Sequence, residues 1–400
     1  MQVFRRLRAG TQLHEAPVSR LKPPVEKGAN PMHTRLGFID SLRGIAVLSV
    51  LIQHLLEQIV LTQTTGSYYW GFQAVAGYYF NFGRFGVVLF FFVSGFVIPN
   101  SFPSSSTPIR DFVTSRFFRL YPAYWLSILL AVLIFPWTEA RTAPLSQIVG
   151  NLTMFQMFFN VTNIRTAYWT LAIELIFYIS CVLLFAAGFL QRRMTAVGIV
   201  LVVAVLCTVA SAFIGNRMVL RLMEVALNLT AMFLGKVLRD TVIERRLSWW
   251  QAVPCLIAYL AFALSVTLRL YGSTPYDEKT FFFGYSMASS YVGAALVFVA
   301  VCAVCDRVHW PVSAFVGRIS YSIYLMHAYV LTLIVYFFGA GATPLQWLAF
   351  SVAVTGLSIV VSWLTFEAIE KPMVAFGHKF RSRPRPRASV EQPLQGGAAE

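Results

Sequence analysis

Apolar runs recur along most of this chain of 400 residues, and about 20 such residues suffice to cross the hydrocarbon core of a bilayer as a helix. Hydrophobic residues make up 57% of the sequence and charged residues only 12%, which is far from the balance of a soluble domain. Because a segment in lipid must satisfy its backbone polar groups internally, we expect an all-α polytopic membrane protein.

The hydropathy pattern predicts about ten transmembrane helices, with both termini cytoplasmic. The predicted spans are 38–60, 83–101, 119–137, 168–190, 195–215, 218–238, 249–270, 282–304, 312–339 and 345–368. The apolar stretch 145–160 is short, so we interpret it as an interfacial or re-entrant piece. Lys and Arg collect on alternate connections, on the same side as the N-terminus and the tail "HKFRSRPRPR", and the positive-inside rule places that side in the cytoplasm.

The sequence divides into a basic, disordered segment at 1–35, a membrane domain at 36–373 and a basic, disordered tail at 374–400. The formal net charge of +15 indicates topology and attraction to anionic lipid rather than nucleic-acid binding. Cys302 and Cys305 form a CxxC pair at the end of the predicted span 282–304, and we interpret them as packing residues. We expect no metal site and no permanently bound cofactor, because no ligand cluster has metal spacing.

The segment "FIDSLRGIAVLSVLIQH" places Arg43 and His54 in the first span. A separation of eleven residues returns a helical side chain to within about 20° of its starting direction, after a rise of roughly 16 Å. Such a helix face fits an extended ligand with its anionic end at the guanidinium and its reactive end at the imidazole. The structural alternative is a snorkelling Arg43 and a hydrogen-bonded core His54.

The segment "YWTLAIELIFY" carries Glu174 about two turns into a span that begins on the outer side. Its depth matches that of His54, which predicts a carboxylate–imidazole pair. Glu174 would then hold the His54 tautomer while the other ring nitrogen takes a proton from an alcohol. Glu57 lies three residues after His54 on the same helix, and it is the competing partner.

Arg116 and Arg119 lie on one face of "RFFRLYPAYW", where two guanidinium groups suit phosphates or simply set topology. Ser94, Tyr321 and His327 are further cavity candidates from "GVVLFFFVSGF" and "RISYSIYLMHAY". Taken singly, Ser94 is more typical of helix packing and His327 of a structural core residue.

Six motifs follow one another along the chain: the Arg43–His54 spacing, "FFFVSGF", "RFFRLYPAYW", "YWTLAIELIFY", "SYSIYLMH" and "FEAIEKP". In this order they resemble the membrane acyltransferase-3 family over residues 36–373. The resemblance implies a ten-span inner-membrane transferase that uses acyl-CoA, often acetyl-CoA, to acylate sugar hydroxyls. It also implies that the first-span histidine is central to catalysis, and it assigns family positions to Arg43, His54, Arg116, Arg119 and Glu174.

Chemistry and resemblance together predict a multi-pass O-acyltransferase of the plasma membrane. It would move an acyl group, expected to be acetyl, from acyl-CoA to a hydroxyl of a sugar, a cell-envelope polysaccharide or a glycosylated metabolite. Direct attack and an acyl-His54 intermediate both remain open, and no protein partner is indicated. The alternative is a proton-coupled secondary transporter in which Glu174, His54 and His327 relay protons. A membrane anchor that recruits a partner through its basic ends would need none of these intramembrane charges.

Overall fold

The structure is a computed structural model that describes residues 37–62, 71–272, 281–304 and 310–382. The predicted N-terminal segment, the tail beyond residue 382 and Cys305 lie outside these ranges. The described residues form helices and no β-strand. The helices are α1 (Gly37–Thr62), α2 (Phe82–Val97), α3 (Pro108–Thr138), α4 (Leu145–Leu152), α5 (Trp169–Ala186), α6 (Thr195–Phe213), α7 (Arg217–Val242), α8 (Trp249–Tyr271), α9 (Gly284–Ala303), α10 (Pro311–Arg318), α11 (Ser320–Phe338), α12 (Pro344–Thr365) and α13 (Lys371–His378).

Ten helical segments of the described chain are long and apolar enough to cross a membrane. The predicted fold class, an all-α polytopic membrane protein with ten spans, is therefore confirmed. The apolar stretch after the third span folds as the short helix α4, followed by a turn of 3-10 helix at Gln156–Phe159.

The observed helices differ from the predicted spans at two places that affect the site. Helix α3 begins at Pro108, well before the predicted start at 119, so Arg116 and Arg119 lie within the helix rather than ahead of it. A proline in the first turn and Asp111 near the positive end of the helix dipole favour this early start. The polar composition of the first turns conceals it from a hydropathy window.

The predicted span 312–339 is in fact two helices, α10 and α11, which meet at Ile319. Helix α10 lies tightly against α1: a Cβ on Gly317 would overlap the backbone carbonyl of Asp40, and one on Gly44 would overlap Ser313. The Ser313 hydroxyl also donates to the Ser41 carbonyl at 2.7 Å. The break thus follows from a helix crossing, which a hydropathy profile does not register.

Glycines also bring α2 against both α1 and α7. A Cβ on Gly86 would overlap the Ala46 carbonyl, and one on Gly95 would overlap the Met232 carbonyl. Small residues of this kind let helix backbones approach closely in a membrane, where van der Waals packing drives association. Helix α2 is consequently held between two neighbours and supplies one wall of the site described below.

The last helix, α13, returns to the start of α3. The ring of Phe118 lies 5.6 Å from that of Phe376 and 5.7 Å from that of Phe380 between centroids. The backbone N–H of Ser382 donates to the Asp111 carboxylate at 3.1 Å. The boundary predicted at residue 373 therefore falls inside an ordered helix, and the described part of the predicted tail packs on the membrane domain.

The α2–α7 crossing should be intolerant of one added methyl group. Gly95→Ala should lower the apparent melting temperature of the purified protein, because overpacking of this kind costs about 1–3 kcal/mol or more. Gly198→Ala is the matched control, since no atom lies within 4 Å of a Cβ built there. That change should leave the melting temperature equal or slightly higher. Equal melting temperatures for Gly95→Ala and wild type would contradict the packing described here.

Candidate active site

A cavity of about 120 Å³ lies among α1, α2, α3, α5 and the start of α11. Six of the eight predicted site residues line it. They are Arg43, Ser94, Arg116, Arg119, Glu174 and Tyr321. The two remaining predicted residues, His54 and His327, lie together elsewhere.

The three arginines of the cavity differ in how they are held. Arg116 donates to the Ser101 hydroxyl at 2.7 Å, and its guanidinium lies 5.7 Å from the centre of the Tyr178 ring. Arg119 forms an ion pair with Glu370 at 3.1 Å. Among the described residues, Arg43 forms neither a hydrogen bond nor an ion pair, so its guanidinium is available to an anion that enters the cavity.

Glu174 is held within this cavity. Its Oε1 accepts from the Tyr178 hydroxyl at 2.5 Å and from the Ser94 hydroxyl at 3.3 Å. These contacts fulfil the expectation that a carboxylate inside the membrane has polar partners. They are not the partners predicted from the sequence, because His54 is not one of them.

The carboxylate that holds His54 is Glu57. His54 Nδ1 lies 2.9 Å from Glu57 Oε2, and Glu57 Oε1 accepts from Gln53 at 2.9 Å. Gln53 is itself fixed by the Ala76 carbonyl and the Phe82 N–H. The predicted His54–Glu174 pair is thus replaced by the competing His54–Glu57 pair, because equal depth in the membrane does not decide which helix faces meet.

The imidazole of His327 stacks on that of His54, with centroids 5.4 Å apart and planes 26° apart. The two differ in accessibility: 39% of the His54 side-chain surface is exposed, whereas His327 is 1% exposed. Tyr324 joins the pair to the cavity, since it lines the cavity and its ring lies 6.3 Å from those of both His327 and Phe90.

Sequence reasoning missed Glu370, which is buried beside Arg119 and accepts a hydrogen bond from Ser322 at 2.9 Å. It ends a π-helical turn at Phe366–Glu370, and such turns are frequent at functional sites. The available signal was a carboxylate within the apolar end of the last span, in the motif "FEAIEKP". Phe90 carried no signal of its own, because isolated aromatic residues are typical of any packed span, whereas Tyr324 lies in the motif "SYSIYLMH".

Ten candidate spans, a cavity lined by three arginines and a stacked histidine pair describe a multi-pass membrane protein with charged and titratable groups inside its helical bundle. The chain belongs to the acyltransferase-3 family: the model of this acyltransferase domain matches residues 36–367. This confirms the resemblance and makes the protein a membrane O-acyltransferase. Comparisons with curated proteins and with solved structures found no match.

The Arg119–Glu370 pair should be a structural requirement of the cavity. Glu370→Gln leaves the Arg119 charge without its partner and should destabilise the protein by on the order of 3 kcal/mol. Glu367→Gln is the matched control on the same turn, because this residue is 40% exposed and pairs with the exposed Lys371. Its effect should stay below about 1 kcal/mol.

Apparent melting temperatures of the purified variants provide the measurement. If Glu370→Gln had the same melting temperature as Glu367→Gln and wild type, the Arg119–Glu370 pair would contribute nothing to stability.

Proposed function

We propose that the protein transfers an acyl group, acetyl in the simplest case, from acyl-CoA to a hydroxyl of a carbohydrate or glycoside at the plasma membrane. The observation that carries the proposal is the cavity lined by three arginines at one end, with a stacked histidine pair beyond its other end. Arg43 and His54 are separated by roughly 16 Å along α1, which suits a donor whose phosphates and thioester are far apart.

The arginine end of the cavity suits the phosphates of CoA. Guanidinium groups form short, bidentate hydrogen bonds to phosphate, and Arg43 has no competing partner among the described residues. Arg116 and Arg119 line the same cavity from α3. Since basic connections mark this end of the spans as cytoplasmic by the positive-inside rule, we place the donor entrance there.

His54 is the proposed general base. Glu57 accepts the hydrogen bond of Nδ1, which leaves the Nε2 lone pair of the neutral imidazole to take the proton of the acceptor hydroxyl. The hydroxyl oxygen then attacks the thioester carbonyl, the C–S bond breaks and CoA leaves as the thiolate. Glu57 stabilises the imidazolium formed, a role that we assign to it in place of Glu174.

Glu174 belongs in this proposal to the donor cavity. Its carboxylate is the negative group among three arginines, and Tyr178 links it to Arg116. The thioester would pass Phe90 and Tyr324 to reach His54. The His54 side chain is 39% exposed and does not line the cavity. We therefore propose that the acceptor approaches His54 from outside the cavity, on the outer side of the membrane.

Removing the base should slow acyl transfer strongly. His54→Ala should lower kcat by roughly 10²–10⁴-fold, and Glu57→Gln should lower it less, because the imidazole remains but loses its orientation. The double variant should be no slower than His54→Ala, since Glu57 acts through His54. The assay uses purified protein in lipid vesicles, radiolabelled acetyl-CoA, and added glycans or methyl glycosides.

Size-exclusion chromatography of each variant controls for folding. Label transferred equally by folded His54→Ala and wild type would exclude His54 as the base. If wild type transferred no label from acetyl-CoA or a longer acyl-CoA, while an unmodified solute crossed the vesicle wall, the transporter alternative would replace the proposal.

Arg43 should contribute to donor binding only through the phosphates of CoA. Arg43→Gln should raise KM for acetyl-CoA at least about tenfold, the loss expected for a charge-assisted hydrogen bond. It should leave KM for acetyl-pantetheine, which lacks the nucleotide phosphates, unchanged. The matched control is Arg110→Gln, an exposed arginine at the start of α3 outside the cavity lining. Equal effects on both donors would contradict a phosphate contact.

A further inference from the structure

His327 carries a nitrogen without a partner. Its Nδ1 lies 2.8 Å from the carbonyl oxygen of Ile323, and a carbonyl only accepts, so Nδ1 bears the hydrogen. Nε2 therefore presents a lone pair. That atom is buried and has no hydrogen-bond partner in the described part of the protein. A buried acceptor of this kind is unfavourable unless a donor reaches it.

The neighbouring side chains do not supply that donor. His54 is stacked face to face with His327 rather than directed at it in the ring plane. The Tyr324 hydroxyl donates to the Ala167 carbonyl at 3.0 Å and contacts the Thr170 hydroxyl at 2.8 Å. The Tyr324 hydroxyl and the His54 ring are thus already engaged, and Nε2 of His327 is left open to a donor on a ligand.

The two imidazoles are matched in their hydrogen bonding. In each, an oxygen fixes Nδ1, and Nε2 is an acceptor when the ring is neutral. The hydroxyl that is acylated has one proton, and the proposed reaction delivers it to His54. His327 therefore needs a different donor, and a second hydroxyl of the same acceptor is the nearest group of this kind.

We propose that His327 is an acceptor-binding residue that recognises a hydroxyl adjacent to the one being acylated, so that the stacked pair selects a vicinal diol. Ring centroids 5.4 Å apart allow neighbouring hydroxyls of one sugar to reach one nitrogen each, at ordinary hydrogen-bond lengths of about 2.7–3.0 Å. This inference rests on the proposed transferase function. The other ligand group able to donate here is an amide N–H of the pantetheine arm.

Two substitutions distinguish the role of Nε2 of His327 from that of Nδ1. Gln can place an amide oxygen near the position of Nε2, whereas Asn reaches only the position of Nδ1. His327→Gln should therefore keep the acceptor that the proposal requires, and His327→Asn should lose it. A merely structural histidine would not predict this order.

The experiment compares methyl glycosides with their monodeoxy analogues, each lacking one hydroxyl next to the acylated position, in the vesicle assay with labelled acetyl-CoA. Wild type should prefer the intact glycoside by at least about tenfold in kcat/KM, equivalent to the loss of one hydrogen bond. His327→Asn should reduce that preference to about one by slowing the intact glycoside. His327→Gln should retain most of it, and KM for acetyl-CoA should be unchanged in both.

The possible outcomes distinguish failure of the diol assignment from failure of the proposed transferase function. Absence of transfer by wild type to any acceptor would overturn the proposed function. Transfer without preference for the diol, or a preference that persists in folded His327→Asn, would overturn only the diol assignment. Weaker binding of acetyl-CoA to His327→Asn without acceptor, with the preference intact, would assign the contact to pantetheine instead. Should His327→Asn fail to fold, the wild-type deoxy series and His327→Gln still decide.

Discussion

Ionisable side chains inside a bilayer need polar partners from the protein itself, and this requirement organises the centre of the molecule. Arg119 is stabilised by Glu370 from the opposite end of the chain. A second buried pair, Arg84 with Glu224, joins α2 to α7 at 3.1 Å. These contacts require the helices concerned to lie in fixed register, so charged residues such as the cavity-lining Arg119 also fix how the spans pack.

The glycine contacts make that register possible. Gly44 directly follows Arg43, and it allows α10 to lie against α1, which sets the height at which the guanidinium enters the cavity. Gly95 directly follows Ser94 and brings α2 onto α7, which sets the position of a hydrogen-bond donor to Glu174. Each crossing therefore lies directly beside a side chain that lines the cavity.

The sequence predicts the depth of a residue in the membrane much better than it predicts which helix faces meet. Hydropathy places ten spans, and ionisable residues within or beside the apolar segments include several that the structure gathers around one cavity, such as Arg43, Arg116 and Glu174. It does not choose between Glu57 and Glu174 as the partner of His54, because that choice depends on which helix faces meet. For the same reason the break at Ile319, set by a tertiary contact, was not predicted.

The position of the histidine pair has a consequence for how the proposed reaction is organised. If both substrates met inside the cavity, water entering with a polar glycan would weaken the interactions between the arginines and phosphate. In the structure, Tyr324 lies between the cavity and His327, and its hydroxyl is already hydrogen-bonded to Thr170 and Ala167. The donor can then remain in the cavity, with only its thioester presented to the exposed imidazole. Such a division would let the protein bind a highly charged donor in the cavity, while the acceptor reaches the histidine pair through its reacting hydroxyls.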